Sequence, residues 1–367
     1  VEFNKILDNL KIYEAGKPIE LVVREFGVAE QDIVKLASNE NPYGTSPKVA
    51  KVISDYAKNM FMYPDDSFFE LKDALASKFS LESENFIIGA GSDQVIDFII
   101  KAKLEAGKKV LMAKTTFAMY QIYTNQTGAT ILKTDSDTHN LEQFLEIYEA
   151  EKPDLIFLCL PNNPLGEMLD RADVYDFIKK IDKNTLVVVD GAYQEYASFK
   201  DEKKYINPKD LIERFENTIY LGTFSKAYAL GGMRVGYGIS NKNIIQNLHK
   251  LRPPFNITTL SLKAAIEALK DEEFVNDSIA KNFEQMARYE QYAKENSIEY
   301  IDSYTNFITY ILPESIDASE LSDKLLRRGI IIRCLKPYGI NSIRITIGTK
   351  EQNDRVLNIL DELLKGN

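Results

Sequence analysis

The chain contains no tryptophan, only two histidines and only two cysteines in 367 residues, and each shortage argues against a chemistry. With His139 and His249 alone, a histidine-built metal centre is not expected, so no metal is assigned. Cys159 lies inside the apolar run Leu155 to Leu160, and Cys334 follows the run Ile330 to Ile332, a usage that fits reduced thiols in the cytoplasm. No run approaches the roughly 18 apolar residues that a membrane span requires. The opening Val1-Glu2-Phe3-Asn4-Lys5 mixes charge with apolar residues, so export is not expected either. Positive charge is also in deficit. The net charge of -10 argues against a broad nucleic-acid or acidic-membrane surface, because phosphate-rich partners attract basic faces. Any basic site must therefore be a local pocket. What remains, 44% hydrophobic and 27% charged residues, is the composition of a globular enzyme large enough for two domains.

Short apolar runs alternate with amphipathic stretches. Strands are expected at Phe86 to Ile88, Lys109 to Met112, Thr130 to Leu132, Asp154 to Leu160, Thr185 to Val189, Thr218 to Leu221 and Val235 to Ile239. Between the earlier ones lie patterns such as Val95, Ile96, Ile99 and Ile100, whose spacing covers one helix face. Alternation of this kind predicts an α/β fold, a largely parallel sheet covered by helices. After Arg252-Pro253-Pro254 the texture changes, with long helical patterns from about Ser261 to Glu295 and then strand, helix, strand, strand and helix. The expected division is an N-terminal arm (1–46) that completes the smaller part, a large domain (47–252) and a small α+β domain (253–367).

The stretch Thr223-Phe224-Ser225-Lys226, with Gly231-Gly232-Met233-Arg234 close behind, carries the most information. A lysine between a strand and a glycine-rich turn is a candidate for chemistry, and two hydroxyls with an arginine supply an anion site beside it. Taken alone, the Ser-Lys pair also suits an ordinary loop lysine. Ile87-Ile88-Gly89-Ala90-Gly91-Ser92-Asp93-Gln94 is a strand, a glycine turn and a helix start, whose backbone N–H groups favour an anion. A dinucleotide reading fails, because Gln94 replaces the third glycine and no acid ends the next strand. A helix end contributes only about 0.3–1 kcal/mol to holding an anion, so Arg234, Thr223 and Ser225 must add direct bonds. Two more turns, Pro161-Asn162-Asn163-Pro164 and Asp190-Gly191-Ala192-Tyr193, each end an apolar strand, where open α/β sheets bind ligands. An aspartate there can keep a pyridine nitrogen protonated.

The order settles the reading. Asn163, Asp190 (27 residues on), Lys226 (36 further) and Arg234 follow one another as they do in the fold-type I pyridoxal-phosphate-dependent aminotransferases, which the chain resembles over essentially its whole length. Within that superfamily it is most similar to the histidinol-phosphate aminotransferase family. The stretches that carry this are Tyr13-Glu14-Ala15-Gly16-Lys17-Pro18, Leu36-Ala37-Ser38-Asn39-Glu40-Asn41-Pro42-Tyr43-Gly44, Met62-Tyr63-Pro64-Asp65, Arg252-Pro253-Pro254-Phe255-Asn256 and Ile343-Arg344-Ile345-Thr346-Ile347-Gly348-Thr349.

The resemblance implies that Lys226 attaches pyridoxal 5'-phosphate and shuttles the substrate proton, that Asp190 pairs with the ring nitrogen, and that Asn163 and Tyr193 touch the phenolic oxygen. Phe117 is implied as the ring-stacking residue, although a core aromatic is an equally simple reading of it. Ser92, Asp93, Thr223, Ser225 and Arg234 are implied around the phosphate, with Tyr63 reaching it from the second subunit of a homodimer. Arg333 and Arg344 are implied at the substrate's anionic end, with Tyr13 closing over it. From the sequence pattern alone, each of these arginines points away from its isoleucine neighbours, to solvent or to a cleft. Gln94, Leu165 and Gly191 depart from the usual glutamate, threonine and glutamate of the family pattern. The implied substrates are histidinol phosphate, glutamate and 2-oxoglutarate. An aromatic amino-acid aminotransferase or an O-phospho-amino-acid decarboxylase would keep every cofactor residue named here, and a cofactor-free relative would keep the fold.

Overall fold

Strands covered on both faces have no reason to alternate, and five of the expected runs are buried along their whole length: Phe86–Gly89, Leu155–Cys159, Leu186–Asp190, Thr218–Thr223 and Gly236–Ser240. In the computed structural model, which describes residues 1–3, 5–10 and 26–365, they join Lys109–Met112 and Thr130–Lys133 in a seven-stranded sheet. Across the sheet the order is Phe86–Gly89, Gly236–Ser240, Thr218–Thr223, Leu186–Asp190, Leu155–Cys159, Lys109–Met112, Thr130–Lys133. Four pairings are parallel, and only Gly236–Ser240 runs against both of its neighbours. Every expected strand is present to within a residue or two, and the mixed, mostly parallel sheet is the expected α/β architecture.

Helix Gly91–Lys103 contributes Val95, Ile96, Ile99 and Ile100 to a buried core that also holds Ile87, Val110, Phe157, Val188 and Leu221 of the sheet. Each such side chain contributes about 1.5–3 kcal/mol when fully buried. Its last turn carries Lys101 and Lys103, which suit the negative end of the helix dipole. The helical patterns expected from about Ser261 to Glu295 are two helices, Thr259–Lys270 and Glu272–Glu295. The break falls at Asp271, whose backbone leaves the helical region at φ -103° and ψ 57°. Its carboxylate accepts from Ser46 Oγ at 2.5 Å and Lys48 Nζ at 2.6 Å, partners far away in sequence that helical periodicity does not register.

Contacts divide the chain into two compact units. One holds Thr45–Asn163 and Met168–Val275, and with them the seven-stranded sheet. The other holds Pro164–Glu167, the chain from Asn276 onward and the segment that ends at Gly44. Within this second unit Arg333–Cys334, Ser342–Thr346, Phe307–Ile311 and Glu299–Tyr300 form an antiparallel sheet in that order. Val34–Lys35 pairs in parallel with Ile330–Ile331, so a segment distant in sequence completes this unit. Its core gathers Val34, Leu36, Met286, Ile308, Ile345 and Val356. Among the described residues, no helix is long and apolar enough to cross a membrane.

Candidate active site

Parallel strands deliver their C-terminal ends to one edge of a sheet, and in the larger unit that edge collects the chemistry. Asp190 ends its strand in register with Cys159 on one side and Leu221 on the other. Beyond Cys159 the turn is knitted by Asn162, a residue that the sequence reading left without a role. Its amide donates to Thr115 O at 2.9 Å, and its Oδ1 accepts from Thr116 Oγ1 at 3.0 Å. This anchor holds the neighbouring half-buried Asn163 at the sheet edge. Tyr193 is buried just before helix Gln194–Lys200, and the half-buried Lys226 places Nζ 5.7 Å from the centre of its ring.

The antiparallel strand explains how Arg234 joins this edge. Gly236 is in register with both Gly89 and Thr223, so the residues just before it fall between the Gly89–Gly91 turn and the Thr223–Ser225 turn. Arg234 adopts a left-handed backbone at φ 55°, a conformation that costs a side-chain-bearing residue about 1–3 kcal/mol. Its Nη1 donates to Ser225 Oγ at 3.3 Å and to Gly231 O at 3.0 Å, which fixes the exposed guanidinium. Only glycine fits at position 91: φ is +76°, and a Cβ there would lie 2.7 Å from Arg234 Nη2. Thr223 Oγ1 accepts from Ser225 N at 3.2 Å and donates to Val235 O at 3.4 Å. Ser92 and Asp93 open helix Gly91–Lys103 beside this cluster. Asp93 Oδ2 accepts from Tyr123 at 2.7 Å, while its buried Oδ1 has no hydrogen-bond partner among the described residues. Burial pushes the Asp93 carboxyl up, against the pull of the Tyr123 hydroxyl and the Arg234 charge.

Asp190 is 3% exposed. Its Oδ2 accepts from Tyr120 Oη at 2.7 Å and its Oδ1 from Ala192 N at 3.1 Å. Burial nevertheless pushes the carboxyl up to about 6, since two donors do not replace the water it has lost. Phe117 sits half-buried immediately before helix Ala118–Asn125, edge-on to Tyr120 with 5.6 Å between ring centres.

In the smaller unit Arg333 and Arg344 are directly opposed across an antiparallel pair, so both side chains leave the same face of the sheet. Arg344 is 7% exposed, which removes the solvent-facing reading for it; its Nη2 donates to Ala37 O at 2.7 Å and its guanidinium lies 5.0 Å from the Phe307 ring centre. Arg333 is half-buried. Two like charges face to face destabilise a sheet, and an anion between them relieves the repulsion. Tyr63 is 82% exposed and packs on Phe255 with ring centres 4.9 Å apart. Tyr13 lies outside the described residues.

A model of the class I and II aminotransferases matches residues 31–360. The chain belongs to that family. It is 64% identical to histidinol-phosphate aminotransferase of Aliarcobacter butzleri, over all of both chains, and 61% identical to that of Wolinella succinogenes, over 99% of each. Among solved structures it is similar to histidinol-phosphate aminotransferase from Sinorhizobium meliloti, in complex with pyridoxal-5'-phosphate, at a TM-score of 0.90 and 27% identity over 99% and 98% of the two chains. The fold of the family is thereby shown over the whole chain.

The three departures from the family pattern have structural surroundings. Gln94 Oε1 accepts from Ala90 N at 2.8 Å and from Asn256 Nδ2 at 2.7 Å, so a neutral amide secures the glycine turn. Asn256 belongs to the Arg252–Asn256 motif, in which Arg252 binds both oxygens of Asp66 at 2.8 and 2.9 Å. A Cβ at Gly191 would lie 2.3 Å from the Tyr220 hydroxyl, so no longer side chain fits while Tyr220 keeps its place. Leu165 is simply buried. Tyr120, Tyr123 and Asn256 were missed as functional neighbours. No local pattern marks them, because their partners Asp190, Asp93 and Gln94 lie on other elements.

Proposed function

We propose that this protein transfers the amino group of L-histidinol phosphate to 2-oxoglutarate, giving imidazole acetol phosphate and L-glutamate, with pyridoxal 5'-phosphate as cofactor. What carries the reading is 64% identity over the full length to a histidinol-phosphate aminotransferase, together with the opposed Arg333–Arg344 pair, which suits a dianionic phosphate. The larger unit fits the cofactor: a guanidinium, two hydroxyls and a helix N-terminus stand together as a phosphate cup, and a buried carboxylate with two donors has lone pairs left for a protonated ring nitrogen.

When bound, the cofactor supplies an electron sink for the charge left on the substrate carbon. Lys226 provides the attaching amine and then carries the proton removed from that carbon. Asp190 keeps the ring nitrogen charged, and Asn163 and Tyr193 bond the phenolic oxygen. Phe117 stacks on the ring. Ser92, Asp93, Thr223, Ser225 and Arg234 surround the phosphate. Arg333 and Arg344 bind the substrate phosphate, Arg344 takes the carboxylate of glutamate in the second half-reaction, and Tyr13 closes over the substrate. The arm (1–46), the cofactor-holding part (47–252) and the smaller part (253–367) divide the work accordingly.

A homodimer belongs to the same reading. Met60, Phe61, Met62, Tyr63, Phe69 and Phe255 are all exposed, a concentration of apolar surface that a second copy would cover while Tyr63 reaches its phosphate cup. Cys159 and Cys334 form no disulfide among the described residues, which accords with the cytoplasm.

The test is a half-reaction screen, following cofactor absorbance on addition of L-histidinol phosphate, glutamate, phenylalanine, tyrosine and O-phospho-amino acids. Histidinol phosphate should give the largest kcat/KM. Better turnover of phenylalanine or tyrosine would make the protein an aromatic aminotransferase, and absence of visible absorbance would leave a cofactor-free relative. Sedimentation should show a dimer, and mixing Tyr63→Phe with Lys226→Ala subunits should recover activity in heterodimers.

A further inference from the structure

We propose that Tyr120 is a positioning residue for Asp190: its hydroxyl fixes one carboxylate oxygen, keeps the group ionised, and leaves the other lone pairs for a protonated ring nitrogen. The inference deepens the proposed function and rests on it for the identity of the ring.

The tyrosine is held so that its hydroxyl has one place to be. Tyr120 is 0% exposed, and its ring stacks on Phe157 at 4.2 Å between centres and 10° between planes. Phe117 meets it edge-on at 85°. A ring clamped on two sides cannot swing its hydroxyl away, so the 2.7 Å bond to Asp190 Oδ2 is a fixed feature of the site. Phe117 caps helix Ala118–Asn125 and touches Tyr120 in its first turn. The start of this helix therefore presents both the proposed ring-stacking residue and the residue that holds the ring's counter-ion.

The carboxylate needs this donor. An ionised carboxylate accepts about four hydrogen bonds, and within the chain Asp190 receives one from Tyr120 and one from Ala192 N. The other groups facing it give little support to its charge. Asp93, from helix Gly91–Lys103, repels it; Tyr220, on the adjacent strand, and Cys159, in register beside it and within hydrogen-bonding reach of the Tyr120 hydroxyl, bring no positive charge. Without Tyr120, a single backbone N–H would have to oppose both the burial and the repulsion. Burial already carries the carboxyl to about 6, close enough to neutrality that losing one charge-assisted bond decides its ionisation in the working range.

Tyr120→Phe keeps both ring contacts and removes only the hydroxyl, so it separates positioning from packing. In the cofactor-free protein, the Asp190 carboxyl carbon is titrated by NMR in parent and variant, and the midpoint should rise by half a pH unit or more in the variant. In the holoenzyme, equilibrium dialysis of pyridoxal 5'-phosphate against pH should show affinity falling as Asp190 takes up its proton. In Tyr120→Phe that fall should begin at higher pH, with affinity at neutrality about tenfold weaker, the loss expected for one hydrogen bond to a charged group. Turnover should drop with KM for glutamate little changed. An unchanged midpoint together with an unchanged affinity profile overturns the proposal and leaves Tyr120 a packing residue. If the parent itself binds no pyridoxal 5'-phosphate, the proposed function fails, while the titration of Asp190 still decides what Tyr120 does to it.

Discussion

Around Arg234 the proposed phosphate cup offers one guanidinium, two hydroxyls and a helix N-terminus, all on turns that end strands; in the smaller unit the proposed substrate site offers two charges, Arg333 and Arg344, standing opposite each other on a sheet face. The first arrangement spreads the work over many modest donors, each contributing about 0.3–3 kcal/mol. Such a site suits a group that is always resident. The second concentrates it in two like-charged side chains in register, which suits a group that must be grasped strongly and then released. The contrast teaches that the turn-built site should yield gradually to mutation and the charge-built one abruptly.

The largest effect should come from a change that spares both sites. Lys226→Ala removes the reacting amine and should lower turnover by a factor on the order of 10⁴ or more, while the phosphate cup still binds pyridoxal 5'-phosphate. Borohydride reduction of the parent should attach the cofactor to Lys226 alone, and attachment at another lysine would sink the assignment.

Next, Arg333→Ala should cost on the order of hundred- to thousandfold in kcat/KM for histidinol phosphate, since breaking a desolvated ion pair costs about 3–5 kcal/mol. Glutamate, for which Arg344 is the proposed partner, should suffer much less. Equal damage to both substrates would show that the pair does not read phosphate.

In the larger unit, Asp190→Asn tests the buried carboxylate without cofactor. The folded-state value of about 6, against the ordinary 3.8, means that the charged form is disfavoured by folding. The penalty is absent below about 4, grows as pH rises, and is complete above about 6. Cofactor-free Asp190→Asn should therefore be more stable than parent at pH 8, by up to about 3 kcal/mol, with the difference vanishing toward pH 4 in urea titrations. A pH-independent difference would mean that Asp190 does not carry the buried charge.

The smallest effect on function should be at the glycine turn. Gly91→Ala forces a Cβ against Arg234 at a positive φ, and strain of about 1–2 kcal/mol should weaken cofactor binding roughly tenfold by dialysis. An unchanged affinity would detach the Gly91 turn from the phosphate cup.

Much of this was legible in advance because it is local. Five strands read as unbroken apolar runs, since a strand buried on both faces needs apolar side chains at every position. Gly89-Ala90-Gly91, Asp190 and Lys226 read as chemistry because turn residues and charges punctuate those runs. The partners of Asp271 were not legible, because Ser46 and Lys48 lie more than two hundred residues away. Tyr120 read as one more aromatic, since nothing nearby in sequence tells a helix tyrosine that it will face Asp190.

The sequence by itself determined the kind of fold, the order of the chemical groups and the family, because residue type, spacing and strand-ending turns are properties of the chain. Only the tertiary structure decided which groups meet. Reversal of Gly236–Ser240 brings Arg234 between two turns, and antiparallel register sets Arg333 opposite Arg344. Burial turns an ordinary aspartate into a carboxyl poised near 6 with Tyr120 as its partner. Strand direction, register and desolvation arise from pairing and packing between segments distant in sequence, so no local pattern encodes them.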